Sequence, residues 1–136
     1  VETITWVISQ QLARSPRPAG TSFPATITDV DKWIGEAKAM GIRSVICLLS
    51  TQELFDYYGY VGINLLKRYR DNDLEVASFP VNECFSARDS DDLLPKIGKF
   101  YDATEKACLV HCNAGVTRTG TVIDYLLRFH ADSPPR

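Results

Sequence analysis

The sequence predicts an α/β domain with a mainly parallel central sheet flanked by helices, and three observations carry that expectation. Short apolar runs recur at RSVICLL (Arg43–Leu49), LEVASFPV (Leu74–Val81) and ACLV (Ala107–Val110). The first is apolar almost throughout, as expected of a strand covered on both faces. Segments with helical spacing alternate with these runs. No repeat, low-complexity tract or linker interrupts the chain, so residues 1–136 read as one domain.

The elements follow in order. Thr3–Ile8 reads as a short strand with Trp6 and Ile8 on one face. Ala13–Thr26, rich in proline and glycine, reads as an ordered loop. Thr28 and Asp29 are placed to cap a helix running through Met40, with Val30, Trp33, Ile34 and Ala37 inward and Gly41 as its stop. After the Arg43–Leu49 strand, Ser50 opens a short helix over TQELFDYYG, and Leu65–Arg70 forms another. The Leu74–Val81 strand leads into an irregular acidic loop. Asp92–Glu105 is then expected to be helical, with Pro95 tolerated in its first turn. The Ala107–Val110 strand and an Arg118–His130 helix complete the chain.

Composition narrows the function. A formal charge of -2 supplies no basic footprint for nucleic acid and no cationic face for a membrane. No run approaches the ~18 apolar residues of a membrane span. The four cysteines, Cys47, Cys84, Cys108 and Cys112, lack the paired spacing of a secreted scaffold. Three lie in or beside apolar runs, which predicts free thiols and a cytoplasmic protein. Cys47 and Cys108 alternate with apolar neighbours and read as core fillers.

Cys112 has a different setting. It lies in LVHCNAGVTRTGT (Leu109–Thr121), between a strand and a helix, and is followed by Gly115 and Arg118. Such a turn aims several backbone N–H groups at one point and adds the positive end of a helix dipole, a nest for a tetrahedral oxyanion. The same field lowers the pKa of a thiol inside it. Arg118 supplies a planar fork for two phosphate oxygens, and Gly115 lets the backbone turn without a side chain over the anion. Asn113, Ala114, Gly115, Val116, Thr117 and Arg118 are thus the expected phosphate-binding residues, with Cys112 as nucleophile. Thr119 is placed to donate a hydroxyl hydrogen bond to the sulfur. His111 is better suited to brace the loop than to take a proton.

HCNAGVTRT (His111–Thr119) resembles the signature HCxxGxxR, followed by Ser or Thr, of the cysteine-dependent protein tyrosine phosphatase superfamily. LARSPRP (Leu12–Pro18), SVICLL and FPVNE (Phe79–Glu83) resemble its compact dual-specificity members. That resemblance implies hydrolysis through a phosphocysteine intermediate, without metal or other cofactor. It also implies a carboxyl group on a separate loop as general acid. The family usually has aspartate where this chain has Glu83, and Asp89 is the competitor for the role. The family's domain continues past the signature helix, whereas this chain ends at ADSPPR, so the last helical layer is expected to be missing or to lie beyond these residues.

The expected substrates are phosphorylated proteins, phosphotyrosine first and phosphoserine or phosphothreonine second, met by a monomer in a shallow, permissive pocket. The five residues between Cys112 and Arg118 include no cation, unlike members that act on multiply charged inositol headgroups. Two alternatives stay open: a pseudophosphatase that captures phosphopeptides, and a phosphatase for small metabolites. Cys108, His111 and Cys112 carry zinc-ligand chemistry, but no second close pair completes a tetrahedral site. Cys84 is either an incidental thiol or a partner for Cys112 in a protective disulfide. Tyr57, Tyr58 and Tyr60 either rim a pocket or pack a helix end. Asp91 and Asp92 read as helix-capping acids. Arg14 and Arg17 tie down the proline-rich loop or add positive field near the site. His130 reads as a helix C-terminal cation without a functional role.

Overall fold

The computed structural model describes residues 3–20, 25–82 and 87–131, with the side chains of 87–90 excepted. Among these residues, five strands, β1 (Thr5–Ile8), β2 (Leu12–Ser15), β3 (Ser44–Cys47), β4 (Glu75–Ser78) and β5 (Cys108–His111), form one sheet in the order β1-β2-β5-β3-β4. Among the described residues, the flanking α-helices are α1 (Ile27–Ala39), α2 (Thr51–Tyr57), α3 (Leu65–Asp71), α4 (Ala87–Ala103) and α5 (Thr117–Phe129). β1 and β2 are antiparallel, while the pairs β2–β5, β5–β3 and β3–β4 are parallel. The expected α/β class and mainly parallel sheet are therefore present.

Side chains on successive strand residues leave the sheet on opposite faces, and two cores follow. Val45, Cys47, Leu49 and Leu109 join the α1 stripe of Val30, Trp33, Ile34 and Ala37, together with Leu65 and Tyr69 of α3. Ile46, Leu48, Cys108 and Val110 meet Ile97 and Tyr101 of α4 and Val122, Ile123 and Leu126 of α5. Full burial of each such large aliphatic side chain stabilises the fold by roughly 1.5–3 kcal/mol.

Four expectations about elements change, the first being the shared face of Trp6 and Ile8, which pack on opposite cores across a register irregularity between them. β2 occupies part of what reads as a loop, because LARS pairs with β5 over Leu12↔Cys108 to Ser15↔His111 before the prolines begin. The cap of α1 is Thr26, whose hydroxyl accepts from the Asp29 amide at 3.1 Å, so Thr28 lies inside the first turn. α4 starts at Ala87, not Asp92, which leaves Pro95 in the helix interior, where it removes one backbone donor. Asp91 and Asp92 therefore sit along that helix and not at its cap. His130 caps α5 and bonds Asp102 of α4 through Nδ1 at 2.9 Å, with its ring over Gly98.

β5 is flanked by parallel neighbours, with Ser15, His111 and Cys47 in one row. The chain leaves β2, β3 and β5 on the same side of the sheet. That is the edge where ligands of open α/β sheets sit.

Candidate active site

The loop from Cys112 to Arg118 leaves β5 at this edge and enters α5. Gly115 makes the reversal at φ 76°, a left-handed conformation that favours glycine. A side chain there would also meet the backbone of Ser15 and Pro16 at 2.7 Å. Asn113 is tied to the same neighbour, since the Arg17 amide donates to its carbonyl at 2.9 Å and Arg17 Nε to its Oδ1 at 3.0 Å. α5 has no side-chain N-cap, so its first N–H groups are left to the loop's interior. Cys112, Asn113, Ala114, Thr117 and Arg118 line a cleft of about 330 Å³. Gly115 and Val116 lie on the loop's other side, where with Ala114 they line a smaller hollow.

Cys112 is 3% exposed. Burial pushes its thiol up, but the Thr119 hydroxyl and amide, the Gly115 amide and the Arg118 charge more than offset this and hold it below 9.0. The Thr119 hydroxyl is buried and meets no standard hydrogen-bond geometry, while its interaction with the Cys112 sulfur lowers the thiol's pKa. Cys47 and Cys108 differ sharply. Burial raises each thiol to about 12, so they remain neutral core side chains.

His111 is fully buried beneath the loop. Its Nδ1 lies 3.2 Å from the Cys112 carbonyl and its Nε2 2.8 Å from the Tyr69 hydroxyl. A carbonyl only accepts, so Nδ1 carries the proton and Nε2 accepts from Tyr69. Burial drives the imidazole down to about 4, assisted by the Arg17 and Arg118 charges, although the Cys112 carbonyl pulls the other way. His111 is therefore neutral, wedged edge-on against Trp33 and Tyr69.

Arg118 is 2% exposed, and its guanidinium is held from two directions. Nη1 and Nη2 donate to the two oxygens of Glu53 at 2.6 and 2.9 Å. Nη1 also donates to the Val81 carbonyl at 2.8 Å. Glu53 sits at the third position of α2, where Oε1 accepts from the Ser50 amide at 2.9 Å and Ser50 Oγ accepts from the Glu53 amide at 3.1 Å. Burial raises the Glu53 carboxyl, but Arg118 and Ser50 more than compensate and hold it below 4.5.

Glu53 is the site residue that the sequence reading missed. Its signal was legible: a Ser-x-x-Glu capping box immediately after a central apolar strand puts a carboxylate at the sheet's ligand edge. The three tyrosines separate. Tyr58 is buried and donates to the Pro18 carbonyl at 2.5 Å, Tyr60 is exposed, and Tyr57 accepts from Asn113 Nδ2 at 3.3 Å beneath the Arg17 guanidinium. Glu83 and Cys84 lie outside the described residues, as does the Asp89 side chain. Among the described residues, no group of three or more His, Cys, Asp or Glu is arranged to hold a metal ion, and no helix is long and apolar enough to cross a membrane.

A family profile described as "PTP-SAK: Swiss Army Knife protein, DSP-PTPase phosphatase domain" matches residues 4–136. No curated protein matches the sequence. Among solved structures, kinase associated phosphatase, with its catalytic-site cysteine replaced by serine, is similar with TM-score 0.66 and 20% identity. That match covers 98% of this chain and 77% of the other. The human tyrosine phosphatase-like serine/threonine/tyrosine-interacting protein gives TM-score 0.65 at 15% identity, covering 98% and 78%. Tk-PTP in its active form gives 0.61 at 21%, covering 96% and 76%.

Proposed function

The chain belongs to the dual-specificity and protein tyrosine phosphatase family, and we propose that it hydrolyses phosphate monoesters on proteins through a phosphocysteine formed at Cys112. One observation carries the reading: a buried thiol held below its ordinary pKa shares a cleft with an arginine whose orientation is fixed by a carboxylate. A thiol buried for packing alone would be raised, as Cys47 and Cys108 are.

The chemistry follows from those groups. The loop's amides and the Nε–Nη2 edge of Arg118 take the phosphoryl oxygens, beside the Nη1–Nη2 edge that grips Glu53. The Cys112 thiolate attacks phosphorus in line, the S–P bond forms and the P–O bond to the substrate breaks. The leaving oxygen takes a proton from a carboxyl, for which Glu83 is our choice. Its support is nearby: Val81, two residues earlier, bonds Arg118 through its carbonyl, so the chain approaching Glu83 runs along the site. Water then gives its proton to that carboxylate and attacks phosphorus. The S–P bond breaks, and the Cys112 thiolate is received by the Thr119 hydroxyl and the loop amides.

Phosphoproteins are the proposed substrates, since no cation lies among residues 113–117 to favour a polyphosphorylated small molecule. Free thiols at Cys47, Cys108 and Cys112 support a reducing compartment such as the cytoplasm. The test is turnover of an aryl phosphate followed by a phosphopeptide panel. The wild type is expected to release phosphate, with or without chelator, and Cys112→Ser to release none while still binding substrate. A wild-type chain that binds phosphopeptide yet releases no phosphate would be a capture module instead.

A further inference from the structure

Arg14 has no role in the chemistry above, yet its guanidinium reaches the phosphate loop from β2. Nη2 donates to the Gly115 carbonyl at 2.8 Å and to the Val116 carbonyl at 3.3 Å. The side chain is half-buried, and Nη2 lies close to the Cα side of Gly120 in the first turn of α5. These contacts span the sheet edge, joining residues 101 and 102 positions apart in sequence.

We infer that Arg14 is a positioning residue for oxyanion binding: by gripping the Gly115 and Val116 carbonyls on the outer side of the loop, it fixes the Val116 and Thr117 N–H groups toward the bound phosphoryl oxygens. Planarity supplies the mechanism. In a trans peptide the C=O and the following N–H point in opposite directions, so anchoring one aims the other. The carbonyls at 115 and 116 belong to the same peptide planes as the N–H groups at 116 and 117. Without the anchor, the plane joining Gly115 and Val116 is released to rotate, and Gly115 resists such rotation least, whereas the Val116 carbonyl still accepts from the Gly120 amide at 2.8 Å. The Arg17 amide treats the Asn113 carbonyl in the same way, at 2.9 Å. The β2 exit is therefore a rail along the loop's outer side, and Arg14 is its side-chain part.

The inference rests on the loop's reading as an oxyanion nest but not on turnover. Its test is therefore calorimetric binding of tungstate to the wild type, Arg14→Met and Arg14→Lys, with thermal midpoints measured alongside. Arg14→Met keeps the stem and loses the donors. It is expected to bind tungstate about tenfold more weakly, as the Val116 N–H loses its orientation, with a midpoint close to wild type. Arg14→Lys restores a donor head and is expected to recover most of the affinity. On an aryl phosphate the Met variant should lose kcat/KM in step with its tungstate affinity. Tungstate affinity within twofold of wild type in Arg14→Met overturns the inference alone. Equal losses of affinity and thermal midpoint in both variants reduce Arg14 to a structural role and also overturn it. A wild type that binds no tungstate removes the nest, and this inference with it. A wild type that binds tungstate but releases no phosphate removes only the proposed phosphatase activity.

Discussion

Glu53 and Arg118 meet through two parallel hydrogen bonds of 2.6 and 2.9 Å, although 65 residues separate them. The Arg118 side chain is 3% exposed and that of Glu53 17%, so the pair is shielded and the cost of removing one partner falls on the other. Glu53→Ala should leave the guanidinium uncompensated and oriented only by backbone carbonyls such as that of Val81. We expect a loss of at least tenfold in kcat/KM and a lower thermal midpoint, with Glu53→Gln milder because one acceptor survives. Aryl phosphate kinetics and thermal melts check both. Arg118→Lys, which keeps charge but not the fork, should be severely impaired.

Thr119 supplies a buried hydroxyl whose interaction with the Cys112 sulfur lowers the thiol's pKa. Thr119→Val keeps the shape and removes the donor, so the thiol loses one of the groups that lower its pKa. The acid limb of the pH profile of kcat/KM should move to higher pH. Release of the thiolate in the second step should slow by roughly tenfold, producing a pre-steady-state burst. Thr119→Ser should restore both.

His111 makes stability depend on pH. Its folded pKa, about 4, lies below the ordinary 6.5, so the unfolded chain binds the proton that the folded chain refuses. That contribution is complete above pH 6.5 and is lost as pH falls toward 4, by about 3 kcal/mol in all. Denaturant titrations at pH 7.5 and 4.5 measure the slope. His111→Gln should flatten it, leaving the smaller share of groups such as Glu53. For Glu53 the contribution is present above about 4.5 and disappears as pH falls through its lower folded value.

Gly115→Ala should cost more than an ordinary Gly→Ala change. The residue would have to hold φ 76° and press its methyl against the backbone of Ser15 and Pro16 at 2.7 Å. Because no flexible side-chain end can yield there, the loop must shift. We expect at least a hundredfold fall in kcat/KM and weaker vanadate inhibition, with destabilisation of roughly 1–3 kcal/mol.

The general acid is separable by leaving group. Glu83→Gln should slow phenyl phosphate far more than a nitrophenyl ester, by ~10² or more, and flatten the alkaline limb. The same pattern in Asp89→Asn, with Glu83→Gln unaffected, would transfer the role to Asp89.

The loop was legible in sequence because its chemistry dictates residue identities within nine consecutive positions, His111 to Thr119. The buried strands and α1 were legible because their apolar patterns are strong. β2 was not: Pro16 and Pro18 follow it at once, and four residues carry too little pattern to stand out from a turn-rich stretch. The start of α4 was hidden in the same way, since ARDSDD is polar and Pro95 invited a helix beginning just before it. The pairing of Glu53 with Arg118 was not legible because it depends on a partner 65 residues away that only the fold brings close.

β5 lies between two parallel strands, and the segments leaving β2, β3 and β4 all touch the His111–Thr119 signature. Arg17 bonds Asn113 from beyond β2, the Leu48 amide bonds the His111 carbonyl from beyond β3, and the Val81 carbonyl takes Arg118 from beyond β4. The signature is thus contiguous as text and distributed as an object. Transplanting HCNAGVTRT onto another strand–helix junction would carry over the thiol and the guanidinium but none of the three abutments. Such a graft should bind oxyanions poorly and show a thiol pKa near that of free cysteine, whereas a transplant that also includes the β2, β3 and β4 exits should behave as the parent does.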